Sequence, residues 1–116
     1  FIHGYNRNIT ISNNDFEWIG ESTIALWGKT SGLDDILPDG GPDGRDGNQP
    51  RFTKIRNNHA RELGIFEKQS SFIFQAASCQ SVIEGNIVFN LPRAGINFND
   101  GFGGDSVVEK NLLFNT

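Results

Sequence analysis

The stretch VIEGNIVFN, residues 82–90, returns 25 residues later as VVEKNLLFN, with five of nine positions identical and three of the other four aliphatic in both. Self-similarity at a period of about 20–50 residues is the mark of a stacked repeat, in which one unit cannot bury its apolar face alone and rests on its neighbours. Two earlier copies, TKIRNNHA and ITISNNDF, place Asn58 28 residues before Asn86 and Asn14 44 residues before Asn58. The long gap is one period plus an insertion of about 16 to 19 residues, roughly 31–49. Aligned on Asn14, Asn58, Asn86 and Asn111, one apolar column holds Ile11, Ile55, Ile83 and Val108, and another holds Phe16, Ala60, Val88 and Leu113.

A second phrase follows in the first three copies, as TIALWG, SFIFQA and GINFND. Ile24 and Ile96 lie ten residues beyond their asparagines and Leu26 and Phe98 twelve, with Phe72 and Phe74 displaced by four more. Each copy is therefore expected to carry two short alternating runs separated by a turn. Period-two alternation rich in Ile, Val, Phe and Thr, bounded by Gly, Asn and Ser, predicts half-buried strands, and no segment carries a convincing amphipathic helical pattern. Ile87, Phe89 and Phe114 are apolar on the opposite parity, so either a bend intervenes or one outer face is apolar.

Leucine-rich repeats share this period but want leucines at fixed offsets, whereas both halves of each unit here read as strand. A parallel β-helix fits better, because coils stacked at about 4.8 Å make a continuous interior. At a corner of each coil, the asparagine amide can pair with backbone groups and with the same amide one coil away. Asparagine also tolerates the left-handed backbone a tight corner demands. Asn14, Asn58, Asn86 and Asn111 are thus expected to form a structural ladder.

With GINFNDGFGGDSVVEKNLLFN as its clearest stretch, this pattern of amide and aliphatic columns resembles the right-handed parallel β-helix proteins of the pectate-lyase-like superfamily. The resemblance covers nearly the whole chain apart from the insertion. It implies an all-β solenoid of about three and a half coils over residues 1–116, read as a piece of a longer β-helix with an acidic loop at 31–49. Fold does not fix function, so the site needs its own argument.

The net charge of −4 weighs against a nucleic-acid partner, which normally meets a basic stripe. The imbalance is local: Asp34, Asp35, Asp39, Asp43 and Asp46 stand against Arg45 in the insertion, which equals the charge of the whole chain. Gly, Pro and Asp make that segment an excursion of turns. It reads as a solvated loop, a contact surface or, less naturally, a Ca2+ site using Asp39, Asp43 and Asp46, whose spacing lacks the alternation and terminal Glu of a helix-loop-helix site. No other cofactor or metal is indicated. No run approaches 18 apolar residues, so no membrane-spanning helix is expected. The single cysteine, Cys79, is expected to be a buried apolar group. The tripeptide NIT makes Asn8 an N-glycosylation candidate in a secreted eukaryotic chain.

The resemblance implies enzymes that mostly cleave or epimerise acidic polysaccharides on the outer face of one sheet. Elimination there needs a base and a cation, and hydrolysis two facing carboxyl groups. The densest suitable cluster is PRAGINFNDGFGGD, in which Ile96 and Phe98 point inward and leave Asn97 and Asn99 outward, with Arg93 before them and Asp100 and Asp105 after. Thr23–Trp27 and Phe72–Gln75 are expected beneath. An Asn, Asp, Arg and aromatic face suits sugar hydroxyls and the apolar side of a sugar ring. The polygalacturonase GHG and RIK, the epimerase DPHD and an evident pectate-lyase calcium cluster are all missing, and His3 and His59 read as surface or partly packed residues. Whether the chain is an enzyme stays open. Two extracellular or cell-surface readings stand: a β-helix that contacts carbohydrate, as a lyase, hydrolase or epimerase-like domain, and a structural or adhesive rod whose acidic loop touches neighbouring chains.

Overall fold

The computed structural model describes residues 1–29, 48–99 and 104–116. Twelve strands and no helix occur among them: β1 Ile2–His3, β2 Thr10–Ser12, β3 Asp15–Ile19, β4 Ile24–Trp27, β5 Lys54–Arg56, β6 His59–Leu63, β7 Ser71–Ala76, β8 Val82–Glu84, β9 Ile87–Phe89, β10 Ala94–Phe98, β11 Val107–Glu109 and β12 Leu112–Phe114. They form three four-stranded sheets ordered β1-β4-β7-β10, β2-β5-β8-β11 and β3-β6-β9-β12. Every pair of neighbouring strands is parallel. Each turn of the chain lays one strand in each sheet, an all-β arrangement consistent with a parallel β-helix.

The expected columns exist. Ile11, Ile55, Ile83 and Val108 are in register through β2, β5, β8 and β11, and Phe16, Ala60, Val88 and Leu113 through β3, β6, β9 and β12. Ile55, Ile83, Ala60 and Val88 are wholly buried and belong to one apolar core with Leu26, Phe72 and Ile73. Burying a side chain of this size stabilises by roughly 1.5–3 kcal/mol, so each coil is held chiefly by the coils beside it. Four strands per sheet make four turns of chain, where about three and a half were expected.

Each turn has three strands rather than two because the asparagine corner cuts the first phrase in half. That corner also resolves the parity of Ile87, Phe89 and Phe114. A bend intervenes and the outer face is apolar as well: Ile87, Leu112 and Phe114 are exposed, and the Phe89 and Phe114 rings stack with centroids 4.8 Å apart at 8°.

At the corner, the side-chain Nδ2 groups of Asn14, Asn58 and Asn86 donate to Oδ1 of Asn58, Asn86 and Asn111 at 3.0, 3.0 and 2.8 Å. Each acceptor Oδ1 also takes the backbone N–H of the preceding asparagine. The Nδ2 groups of Asn58, Asn86 and Asn111 bond the carbonyls of Ile11, Ile55 and Ile83. The amides therefore satisfy one another inside a region where Asn58 and Asn86 are buried.

Three details differ from the sequence reading. The left-handed residue is the one before each ladder asparagine, namely Asn13, Asn57, Gly85 and Lys110, with φ between 54° and 65°. The ladder residue itself is chosen for its two-sided amide. Second, Ile73 and Gln75, not Phe72 and Phe74, share columns with Ile24 and Leu26. A one-residue slip exchanges the faces of a strand, so Phe74 moves outward, while Phe72 stays buried against Phe16. Gly95 lies one coil from Phe72, and a Cβ there would sit 1.8 Å from Leu113 Cδ2, so any larger residue would have to push the end of that leucine aside. Third, Gln49 belongs to the stacked sheets' core and not to the insertion: it is fully buried against Gly28, where a Cβ would lie 2.4 Å from the Gln49 backbone. An antiparallel bridge between Lys29 and Asn48 closes the base of the insertion. The candidate calcium residues Asp39, Asp43 and Asp46 lie outside the described residues.

Candidate functional site

Alternation along β1, β4, β7 and β10 sends every second residue to the outside of their sheet. Register places Ala25, Phe74 and Asn97 in one outward column. It places His3, Trp27 and Ala76 in the next, and Asn99 follows at that level just past β10. The Trp27 and Phe74 rings face each other diagonally across two coils, centroids 5.7 Å apart at 40°, and Trp27 remains 48% exposed. Phe1 stacks on His3 at 5.6 Å beside them. The stacking that fixes the core thereby assembles an aromatic surface from residues far apart in the chain.

A groove of about 440 Å³ runs along this surface, with Trp27 and Phe74 as its ring walls and Glu21, Thr23, Glu67 and Ser70 among its polar lining. The segment before β7 is anchored by the backbone N–H groups of Ile65, Phe66 and Glu67, which donate to the carbonyls of Ile19 and Gly20. The Glu67 carboxylate accepts from the Gln69 backbone N–H at 2.8 Å, which fixes its direction. Lys68 is turned back on its own segment, its Nζ donating to the carbonyls of Gly64 and Ile65 at 2.8 and 2.9 Å. Planar rings, carboxylates and hydroxyls around an open groove are the groups that recognise a polyol with one apolar face.

The sequence candidates divide. Asn97 and Asn99 share the outer face with Trp27 and Phe74, and the Asn99 backbone N–H donates to the Gln75 carbonyl at 2.7 Å. Arg93 precedes the other end of β10 and is exposed; six residues of extended chain separate it from Asn99, about 20 Å. Asp105 sits with φ 56° at a corner beyond the sheet, near Gln80, whose N–H donates to the Gly104 carbonyl at 2.7 Å. Asp100 lies outside the described residues. Among the described candidates, Asn97 and Asn99 share the outer face, while Arg93 lies toward the other end of β10 and Asp105 at a corner beyond the sheet. The sequence reading missed Glu21, Glu67 and the outward Phe74, the last because of the one-residue slip in β7. Trp27 carried a usable signal, since it follows inward Leu26 by one.

A second polar group occupies the outer face of β3 and β6. His59 Nδ1 lies 2.9 Å from Asp15 Oδ1, and Arg61 pairs with Glu17 and reaches Asp15 at 4.0 Å. The His59 hydrogen bond holds the Asp15 carboxyl below its ordinary value; desolvation opposes it, and the charges of Arg61 and His59 add smaller lowering effects. The His59 ring also packs on Phe89, so this histidine is half-buried and partnered. Cys79 is fully buried. Asn8 stands exposed at a corner with φ 59°. Among the described residues, no three His, Cys, Asp or Glu side chains converge as a metal site would require, and no helix is long and apolar enough to cross a membrane. No protein-family model matches the chain, and neither a curated protein nor a solved structure matches it.

Proposed function

We propose that this chain is part of a right-handed parallel β-helix of the pectate-lyase-like kind that contacts carbohydrate outside the cell or at its surface. The observation carrying this reading is the groove on the β1-β4-β7-β10 sheet, where Trp27 and Phe74 offer ring faces beside Glu21, Glu67, Thr23 and Ser70. The right-handed sense rests on the strong preference of parallel crossover connections for that hand. An extracellular setting is supported by the exposed Asn8 of the NIT sequon.

Titrating soluble glycan oligomers by calorimetry tests the reading. Saturable binding heat that Trp27→Ala and Phe74→Ala both abolish is the expected result. No saturation with any glycan, or saturation untouched by both substitutions, removes the groove as a carbohydrate site.

A second reading, a structural or adhesive rod, draws on a different face. Ile87, Leu112 and Phe114 are exposed beside Phe89 on the outside of the β3-β6-β9-β12 sheet, an apolar strip of the kind that marks contact with another protein surface. Sedimentation of the intact chain against Phe114→Lys separates this from a lone rod: self-association lost in the variant supports it.

A further inference from the structure

We infer that the groove selects uncharged glycan chains and rejects polyuronates, an inference that rests on the carbohydrate reading of the same groove. Among the described residues its lining includes two carboxylates, Glu21 and Glu67, and no lysine or arginine side chain, with Phe1 also in the lining. The nearest lysine in sequence, Lys68, spends its ammonium on the carbonyls of Gly64 and Ile65. Arg93 is level with Ser70 one coil away but is not part of the lining.

A uronate bound here would bring its own carboxylate against one or both glutamates with no lysine or arginine side chain of the described lining between them. Like charges at close range repel, most at low salt because Glu21 and Glu67 are exposed, and the bound sugar would also lose part of the water that hydrates its carboxylate. An uncharged sugar meets the same groups favourably. Its hydroxyls donate to Glu21 and Glu67 in charge-assisted hydrogen bonds, and its apolar face lies on Trp27 or Phe74. Glu67 is held ready for this by the Gln69 N–H, which occupies Oε1 and leaves Oε2 available. The charge of the groove therefore runs opposite to the substrate class that the fold resemblance implies.

The test uses the intact chain with cellohexaose and mannohexaose as uncharged probes and hexagalacturonate as the acidic one, at low and at high salt. At least one uncharged probe should bind tenfold or more tighter than hexagalacturonate at low salt, and added salt should narrow the gap by screening. The double variant Glu21→Gln with Glu67→Gln should reduce the gap further by admitting hexagalacturonate. Tighter binding of hexagalacturonate by the unmodified chain would overturn the inference while leaving carbohydrate contact in place. Binding of neither class would overturn both. A preference for the uncharged probe that survives the double substitution unchanged would show that these two carboxylates do not set it.

Discussion

The asparagine corner and the outer face of the β1-β4-β7-β10 sheet are products of the same stacking, yet they treat it in opposite ways. At the corner one residue recurs at every turn, Asn14, Asn58, Asn86 and Asn111, because each amide must donate to the next and accept from the previous one. On the outer face the columns change at every step, from Ala25 to Phe74 to Asn97 and from His3 to Trp27 to Ala76. Repetition marks positions where a coil recognises its neighbouring coil. Variation marks positions free to recognise something else.

The strongest way to break this comparison is Asn86→Ala. It removes the acceptor of Asn58 Nδ2 and backbone N–H and the donors to Asn111 and the Ile55 carbonyl. With several buried groups orphaned at once, we expect destabilisation of about 3 kcal/mol or more in denaturant titration. A loss below about 1 kcal/mol would reduce the ladder to decoration. Leu26→Ala, at a fully buried position beside the groove, should cost about 2–5 kcal/mol by leaving a cavity. Glycan affinity per folded molecule should change little.

Trp27→Ala should do the reverse. A half-exposed ring that contacts Phe74 contributes on the order of 1 kcal/mol to stability, whereas the calorimetric titration should show affinity for the uncharged hexasaccharides falling tenfold or more. If stability falls as far as in Asn86→Ala, the outer column is structural after all. The smallest effect sharpens the picture on the third sheet. Asp15 has a depressed carboxyl pKa in the folded chain, so its contribution is present above the unfolded value of about 3.9 and fades as pH falls through the lower folded value. Following the Asp15 carboxyl by NMR should show its midpoint rise in His59→Ala, because the hydrogen bond from that ring is the largest cause of the shift.

Much of the architecture was legible before any coordinate. Equal letters at equal intervals revealed the stacked coils, the ladder asparagines and both inward columns flanking them, since self-stacking imposes its demand on residue type directly. The third strand of each turn was harder to see, because a three-residue strand such as β9 or β12 gives alternation too little length to register. The left-handed corner position was also hidden, for Asn13, Asn57, Gly85 and Lys110 share a backbone state and little chemistry. At the candidate site, the alternation of β10 was enough to put Asn97 outward, while Arg93 is separated from Asn99 by the length of that strand and Asp105 by a corner.

The sequence alone determined that like residues lie over like, because an amide ladder and an aliphatic column each need the same group at every level. Only the tertiary structure decided which unlike residues meet. Whether Phe74 points in or out depends on a single residue of register in the segment before β7, and the bonds from Ile65, Phe66 and Glu67 to Ile19 and Gly20 help to anchor that segment. The juxtaposition of Trp27, Phe74, Glu21 and Glu67 follows from that register together with the turns, neither of which leaves a repeating trace in the chain.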